Sequence, residues 1–163
     1  MGGNQTKLDI PNQGLANVSV LDLCQRGRVI KILDNNTIFI VSKYPVDSSD
    51  AFFVYRFRCQ IIGLDTPRLN SPRKSETNIA QLAMNYLADT LLGKVVILKE
   101  PIFMGDSISA IVMLGDLNIR DQLLAKRLAL PAYDLTRKFE VDWQTHHDTS
   151  LLIRHHSVKE GNK

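Results

Sequence analysis

Two hydrophobic rhythms alternate along the chain. Arg28-Val29-Ile30-Lys31-Ile32-Leu33 is rich in β-branched residues and runs into Asp34-Asn35-Asn36, from which Thr37-Ile38-Phe39-Ile40-Val41-Ser42 returns. Two such runs around an Asp/Asn turn predict a β-hairpin. Tyr44 to Asp50, with Pro45 and Ser48-Ser49, reads as a loop, and Phe52 to Ile62 as a third strand. Gly63 fits a bulge or bend near its end.

The period then lengthens. Ser71-Pro72 predicts a helix start, with Ser71 as N-cap and Pro72 in the first helical position. Ile79, Leu82, Ala83, Tyr86, Leu87 and Leu91 follow at helical spacing as one apolar stripe, and Gly93 is placed to end the helix. Val95-Val96-Ile97-Leu98 predicts a fourth strand and Ser107 to Met113 a fifth, followed by a turn at Leu114-Gly115-Asp116. Asn118 can cap a second helix running through Arg120, Leu123, Leu124 and Leu128, with Pro131 as its stop. Beyond Tyr133 the chain is polar, with room for a further short helix.

Five strands with a helix between the third and fourth form an α+β pattern, that of an OB-type β-barrel with two or three helices packed on it. The expected organisation is a flexible lead-in over 1–20, one barrel domain over 21–135 and a C-terminal segment over 136–163. The 163 residues suffice for one core. A net charge of +3 permits an anionic partner without requiring one. Cys24 and Cys59 have neither metal-site nor disulfide-framework spacing, so reduced thiols in the cytoplasm or nucleus are expected. His146-His147 and His155-His156 diverge in any regular element and lack a completing cluster, so no metal or other cofactor is expected there. No apolar run is long enough to span a bilayer. Met1-Gly2-Gly3-Asn4-Gln5-Thr6-Lys7 matches the pattern for N-myristoylation of Gly2, which would give only weak, peripheral membrane attachment.

Three segments carry a family resemblance: Leu33-Asp34-Asn35-Asn36-Thr37, Ile61-Ile62-Gly63-Leu64-Asp65-Thr66-Pro67, and Leu117-Asn118-Ile119-Arg120 through Leu128-Ala129. With Leu91-Leu92-Gly93-Lys94 between them, they resemble, in order and spacing, the staphylococcal-nuclease-like domains also found in Tudor-nuclease proteins. The resemblance covers about residues 27 to 133. It implies a barrel that, in active members, hydrolyses phosphodiesters with a carboxylate-held calcium ion, a glutamate base and two arginines. A hard cation wants carboxylate oxygens, and developing phosphate charge wants fixed guanidinium forks.

Carried over position by position, that machinery is degenerate. Asp34, Thr37, Asp65, Thr66 and Pro67 are kept, but the second acidic calcium-ligand position is Asn36. The first arginine position is Gln60, the base position is Arg68, and the second arginine position, three residues ahead of Ala110, is Ser107. A guanidinium cannot take a proton from water near neutral pH. Losing one such electrostatic donor already costs about 100-fold in rate. Arg58, on the same strand face as Gln60, and Glu76 are the residues that could stand in. Asp34 and Asp65 also suit ordinary turns.

What survives is positive charge. Arg56 and Arg58 on the third strand, with Arg68, Arg73 and Lys74 beyond it, make a basic strip expected to bind RNA or single-stranded nucleic acid. Phe52, Tyr55 and Phe57 are expected on the opposite, core-facing side. The expected function is a non-catalytic nuclease-fold module. The alternatives are a protein-interaction scaffold and a weak calcium-dependent nuclease.

Overall fold

A computed structural model describes residues 24–45, 52–132 and 141–149. The lead-in over 1–20, Gly2 and His155-His156 lie outside the described residues. Three long strands, β1 (Arg26–Asp34), β2 (Thr37–Pro45) and β3 (Phe52–Ile61), form an antiparallel meander. A short β4 (Leu64–Asp65) leads to helix α1 (Lys74–Leu91). Then come β5 (Val95–Met104), β6 (Ser107–Leu114), β7 (Leu117–Asn118), helix α2 (Ile119–Ala125) and β8 (Leu130–Pro131). A short helix, α3, covers residues 143–149.

The sheet closes on itself. β5 pairs antiparallel with both β1 and β6, and β6 pairs parallel with β3 through Cys59↔Ile108, Gln60↔Ser109 and Ile61↔Ala110. The circuit β1–β2–β3–β6–β5–β1 is the five-stranded, mixed OB-type barrel expected from the strand order. Closure gives each strand an inside and an outside. Val29, Ile38, Ile40, Phe57, Cys59, Val96, Leu98 and Val112 fill the interior. Both thiols are free and buried. Burial pushes the Cys24 thiol up to about 11, and burial together with Cys24 pushes Cys59 up to about 12.

Helix α1 plugs the barrel with Ile79, Ala80, Ala83, Leu87 and Leu91. Leu82 is not part of this stripe and is 44% exposed. At about 100° per residue, the buried arc centres between Ala83 and Leu87, and Leu82 falls about 120° away. Tyr86 is at the margin, under the Lys126 ammonium 5.0 Å from its ring centroid. The helix also begins later than the Ser71-Pro72 signal predicts. Arg73 occupies the N-cap position without a side-chain cap, because the Ser71 hydroxyl is used elsewhere. At the other end, Gly93 takes φ +75° and closes the helix as expected.

Asn118 caps α2 by accepting the Arg120 N–H at 3.0 Å. The helix ends at Ala125 rather than running on to Leu128. Arg127 adopts φ 54°, Leu128 N–H bonds Leu123 O, and Arg127 N–H bonds Leu124 O, so the closure is a Schellman motif and Pro131 is not the stop. An arginine in this left-handed position costs backbone energy that glycine would not. Its side chain is recruited in return: Arg127 Nε donates to His146 O at 2.7 Å and Nη2 lies 3.2 Å from His146 Nδ1. That contact docks α3, and Trp143 enters the core. The packed unit therefore extends beyond residue 135, and the short helix expected in the C-terminal segment belongs to it.

Leu87→Ala should lower stability by about 2–5 kcal/mol, whereas Leu82→Ala should cost under about 0.5 kcal/mol. Urea unfolding of the two variants checks the helix face. Gly27→Ala should destabilise by about 1–3 kcal/mol, because its Cβ would clash with Ile40 Cγ2 and meet the Val41 carbonyl oxygen at 2.6 Å. A thermal melt unchanged from wild type would contradict this close approach of β1 to β2.

Candidate functional site

The two turn segments singled out by the resemblance are neighbours. Asn35, 2% exposed, donates from Nδ2 to Pro67 O at 2.6 Å, pinning the β1–β2 turn to the segment after β4. Asn36 O accepts the Ile61 N–H at 2.8 Å. Asp34, Asn36, Asp65 and Thr66 thus occupy one end of the barrel. The side-chain oxygens of Asp34 and Asn36 serve the β1–β2 turn. Asp34 Oδ1 accepts the Asn35 N–H at 2.7 Å, and Asn36 Oδ1 accepts the Thr37 hydroxyl at 2.9 Å. Calcium takes about 6–8 oxygens, and among the described residues no three His, Cys, Asp or Glu side chains converge to hold a metal. The residues present do not fit the calcium site of the resemblance.

Arg68, where the resemblance would place a base, is linked to Glu76. Its backbone N–H and its Nε reach Glu76 Oε1 at 2.8 and 3.2 Å, while the Ser71 hydroxyl donates to Oε2 at 2.5 Å. Ser71 Oγ in turn accepts the Arg73 N–H at 3.1 Å. Glu76 lies on the buried arc of α1, where an apolar residue would be expected, because it staples the 68–73 loop to the helix. Burial alone would raise its pKa, but the hydrogen bonds from Ser71 and Arg68, with the Arg68 charge, hold it below the usual glutamate range. A carboxylate with both oxygens engaged and a lowered pKa is a poor general base. Ser107, at the second arginine position, donates to Met104 O at 3.2 Å within the β5–β6 turn.

The basic strip is distributed differently from the expectation. Arg56 and Arg58 do share the outer face of β3 with Gln60, all three exposed, while Tyr55 and Phe57 are buried. Phe52 departs from the expected core side. It has the same parity as Arg56 and Arg58 and is 59% exposed on their face. Arg58 Nη1 lies 4.0 Å from Asp106 Oδ2 across open solvent, a contact of little energetic weight. Arg73 lines a polar depression with Val141, Asp142 and Trp143, on the helix side of the molecule, and Lys74 begins α1. Arg68 is held by Glu76, with most of its side chain still exposed.

The cations aligned with Arg56 and Arg58 come instead from β1. Register places Arg28 opposite Val41 and Val41 opposite Arg56. It likewise places Lys31 opposite Phe39 and Phe39 opposite Arg58. Two transverse rows, Arg28–Val41–Arg56 and Lys31–Phe39–Arg58, therefore cross the outer face of the meander. Arg26 and Lys43 extend the charge along β1 and β2. The only carboxylate of these three strands is Asp34, at the turn. The Arg-Gly-Arg alternation of β1 announces an exposed basic face, but which β3 residues it stands beside depends on pairing register. No protein-family model matches the chain, and no curated protein matches it at a significant level.

Glu76→Gln should cost about 1–3 kcal/mol near neutral pH, since it weakens three charge-assisted hydrogen bonds to a buried group. Because the folded-state pKa of Glu76 is depressed, its contribution is full above the unfolded value of about 4.3. It is lost as pH falls through the folded value. Urea unfolding across pH should therefore show a shallower acid decline for Glu76→Gln than for wild type. Parallel curves would contradict the staple.

Proposed function

We propose that this chain is a catalytically degenerate staphylococcal-nuclease-type barrel that binds single-stranded nucleic acid, RNA or DNA, on the outer face of β1–β3. The observation that carries the reading is the row Lys31–Phe39–Arg58, a half-buried aromatic ring between two cations on adjacent strands. Stacking a base on an aromatic face contributes about 1–3 kcal/mol, and flanking cations hold the backbone phosphates. The parallel row Arg28–Val41–Arg56 offers a second pair of phosphate contacts. Cross-strand neighbours stand about 5 Å apart, so the rows present charge at regular spacing without the ligand having to reorganise the sheet. OB barrels bind oligonucleotides on the corresponding surface.

On this reading, the end of the barrel that holds Asp34 and Asp65 lacks the means to cut. Arg68 stands where a base is needed, the positions for the two phosphate-stabilising arginines hold Gln60 and Ser107, and Glu76 is committed to its loop. These substitutions favour retention of the bound strand without hydrolysis.

Fluorescence anisotropy with a labelled oligo-dT strand tests the reading. The association constant should fall with salt, with a log–log slope of about −3 for four phosphate contacts. Arg56→Glu/Arg58→Glu should weaken binding at least about tenfold and flatten that slope. Salt-independent affinity, or an unaffected double variant, would overturn the proposal. Incubation with plasmid and calcium should leave the DNA intact. Calcium-dependent cleavage that disappears in Asp65→Ala would restore the nuclease reading, and capture of a protein that persists after nuclease digestion, with no oligonucleotide affinity, would favour the scaffold.

A further inference from the structure

At the far side of this face from β3, a groove of about 350 Å³ opens between β1, β2 and the start of β5. This is the lower end of the ~300–1,000 Å³ range of small-ligand sites. Arg26, Arg28 and Lys43 line it together with the apolar side chains of Ile30, Val41 and Val95, and its lining contains no acidic residue. The buried hydroxyl-bearing residue Ser42 also contributes.

A register change creates the groove. Val29 pairs with Ile40 and Lys31 with Phe39, so Ile30 is the extra residue of a β-bulge and is left 44% exposed. A bulge bends its strand and re-aims a side chain. Here it lies where β1 leaves β5, which it contacts only from Arg26 to Arg28. Arg28 is itself braced, its Nη1 donating to Gly93 O just past the end of α1. Bracing lowers the entropy lost when the guanidinium engages a ligand.

Val41 connects the groove to the proposed binding face: it lines the groove and also stands between Arg28 and Arg56. The distance from β3 to β1 is two strand spacings, about 10 Å. Resting on the reading of this face as a nucleic-acid surface, we infer that the groove seats one nucleotide of a single strand that crosses the meander from β3 to β1. Arg26, Arg28 and Lys43 take its phosphate, and Ile30, Val41 and Val95 take the flat face of its base. Three cations over an apolar floor match a group that is anionic on one side and apolar on the other, and an extended chain of such groups can occupy the groove and the two rows at once.

The test uses the full chain with labelled Ile and Val methyl groups, titrated with an eight-residue oligo-dT. The methyls of Ile30, Val41 and Val95 should shift, while that of buried Ile38 stays in place. Arg26→Glu/Lys43→Glu should bind the oligonucleotide about tenfold more weakly, with wild-type thermal stability. Suppose Arg56→Glu/Arg58→Glu weakens binding, but the groove variant and the groove methyls are unaffected. The groove inference is then overturned while the binding face stands. Absence of oligo-dT binding by the wild-type chain overturns both. Binding to phosphatidylserine vesicles that needs Arg26 and Lys43, with oligo-dT affinity independent of them, overturns the nucleotide assignment in favour of a lipid surface.

Discussion

The parallel pairing of β3 with β6 is the contact on which the rest of the structure depends. Without it the meander would be an open sheet with two equivalent faces. Joined at Cys59↔Ile108 through Ile61↔Ala110, the strands enclose a space filled mainly by apolar side chains. Side-chain direction alternates along a strand, so filling the inside with Ile38, Ile40 and Phe57 commits Phe39, Val41, Arg56 and Arg58 to the outside. The aromatic–cation rows are thus a consequence of closure. A one-residue slip in any of these pairings would bury arginines and expose the core.

At the end of the barrel where the resemblance places catalysis, the same residues meet a different demand. The β1–β2 turn and the loop before α1 contain polar backbone that must be satisfied close to the core. Asn35 satisfies Pro67 O, and Glu76 satisfies the Arg68 backbone N–H, its guanidinium nitrogen and the Ser71 hydroxyl. Arg68 in place of a carboxylate is compatible with this arrangement because it faces Glu76. A second carboxylate there would face it as a like charge. The Arg68–Glu76 pair thus reinforces the loop before α1.

The structural loops and the cationic face are therefore separated on the surface. The polar groups at that end of the barrel hold its loops, while the outer face of β1–β3 is rich in cations, with Asp34 at its turn and Asp106 beside Arg58. The bulge at Ile30 and the αL arginine at 127 are two local irregularities with different uses. The first opens a groove on the cationic face. The second, away from it, ties α3 to the core through His146.

The order of strands and helices, the Asp34–Asn36 turn, the Asn118 cap and the closing role of Gly93 were all legible in the amino-acid sequence, because each depends on local periodicity or on the chemistry of one or two residues. The exposure of Leu82 and the engagement of Ser71 by Glu76 were not, because they depend on where the axis of α1 lies over the barrel. The early end of α2 depends on what Arg127 finds across the chain. The parity of Phe52 with Arg56 and Arg58 was present in the numbering alone. Pairing Arg28 and Lys31 with the arginines of β3 required the register of two strand pairs, including the bulge. Local periodicity determined the elements of an OB-type barrel and their order. Register, a non-local property set by closure, decided which cations stand together.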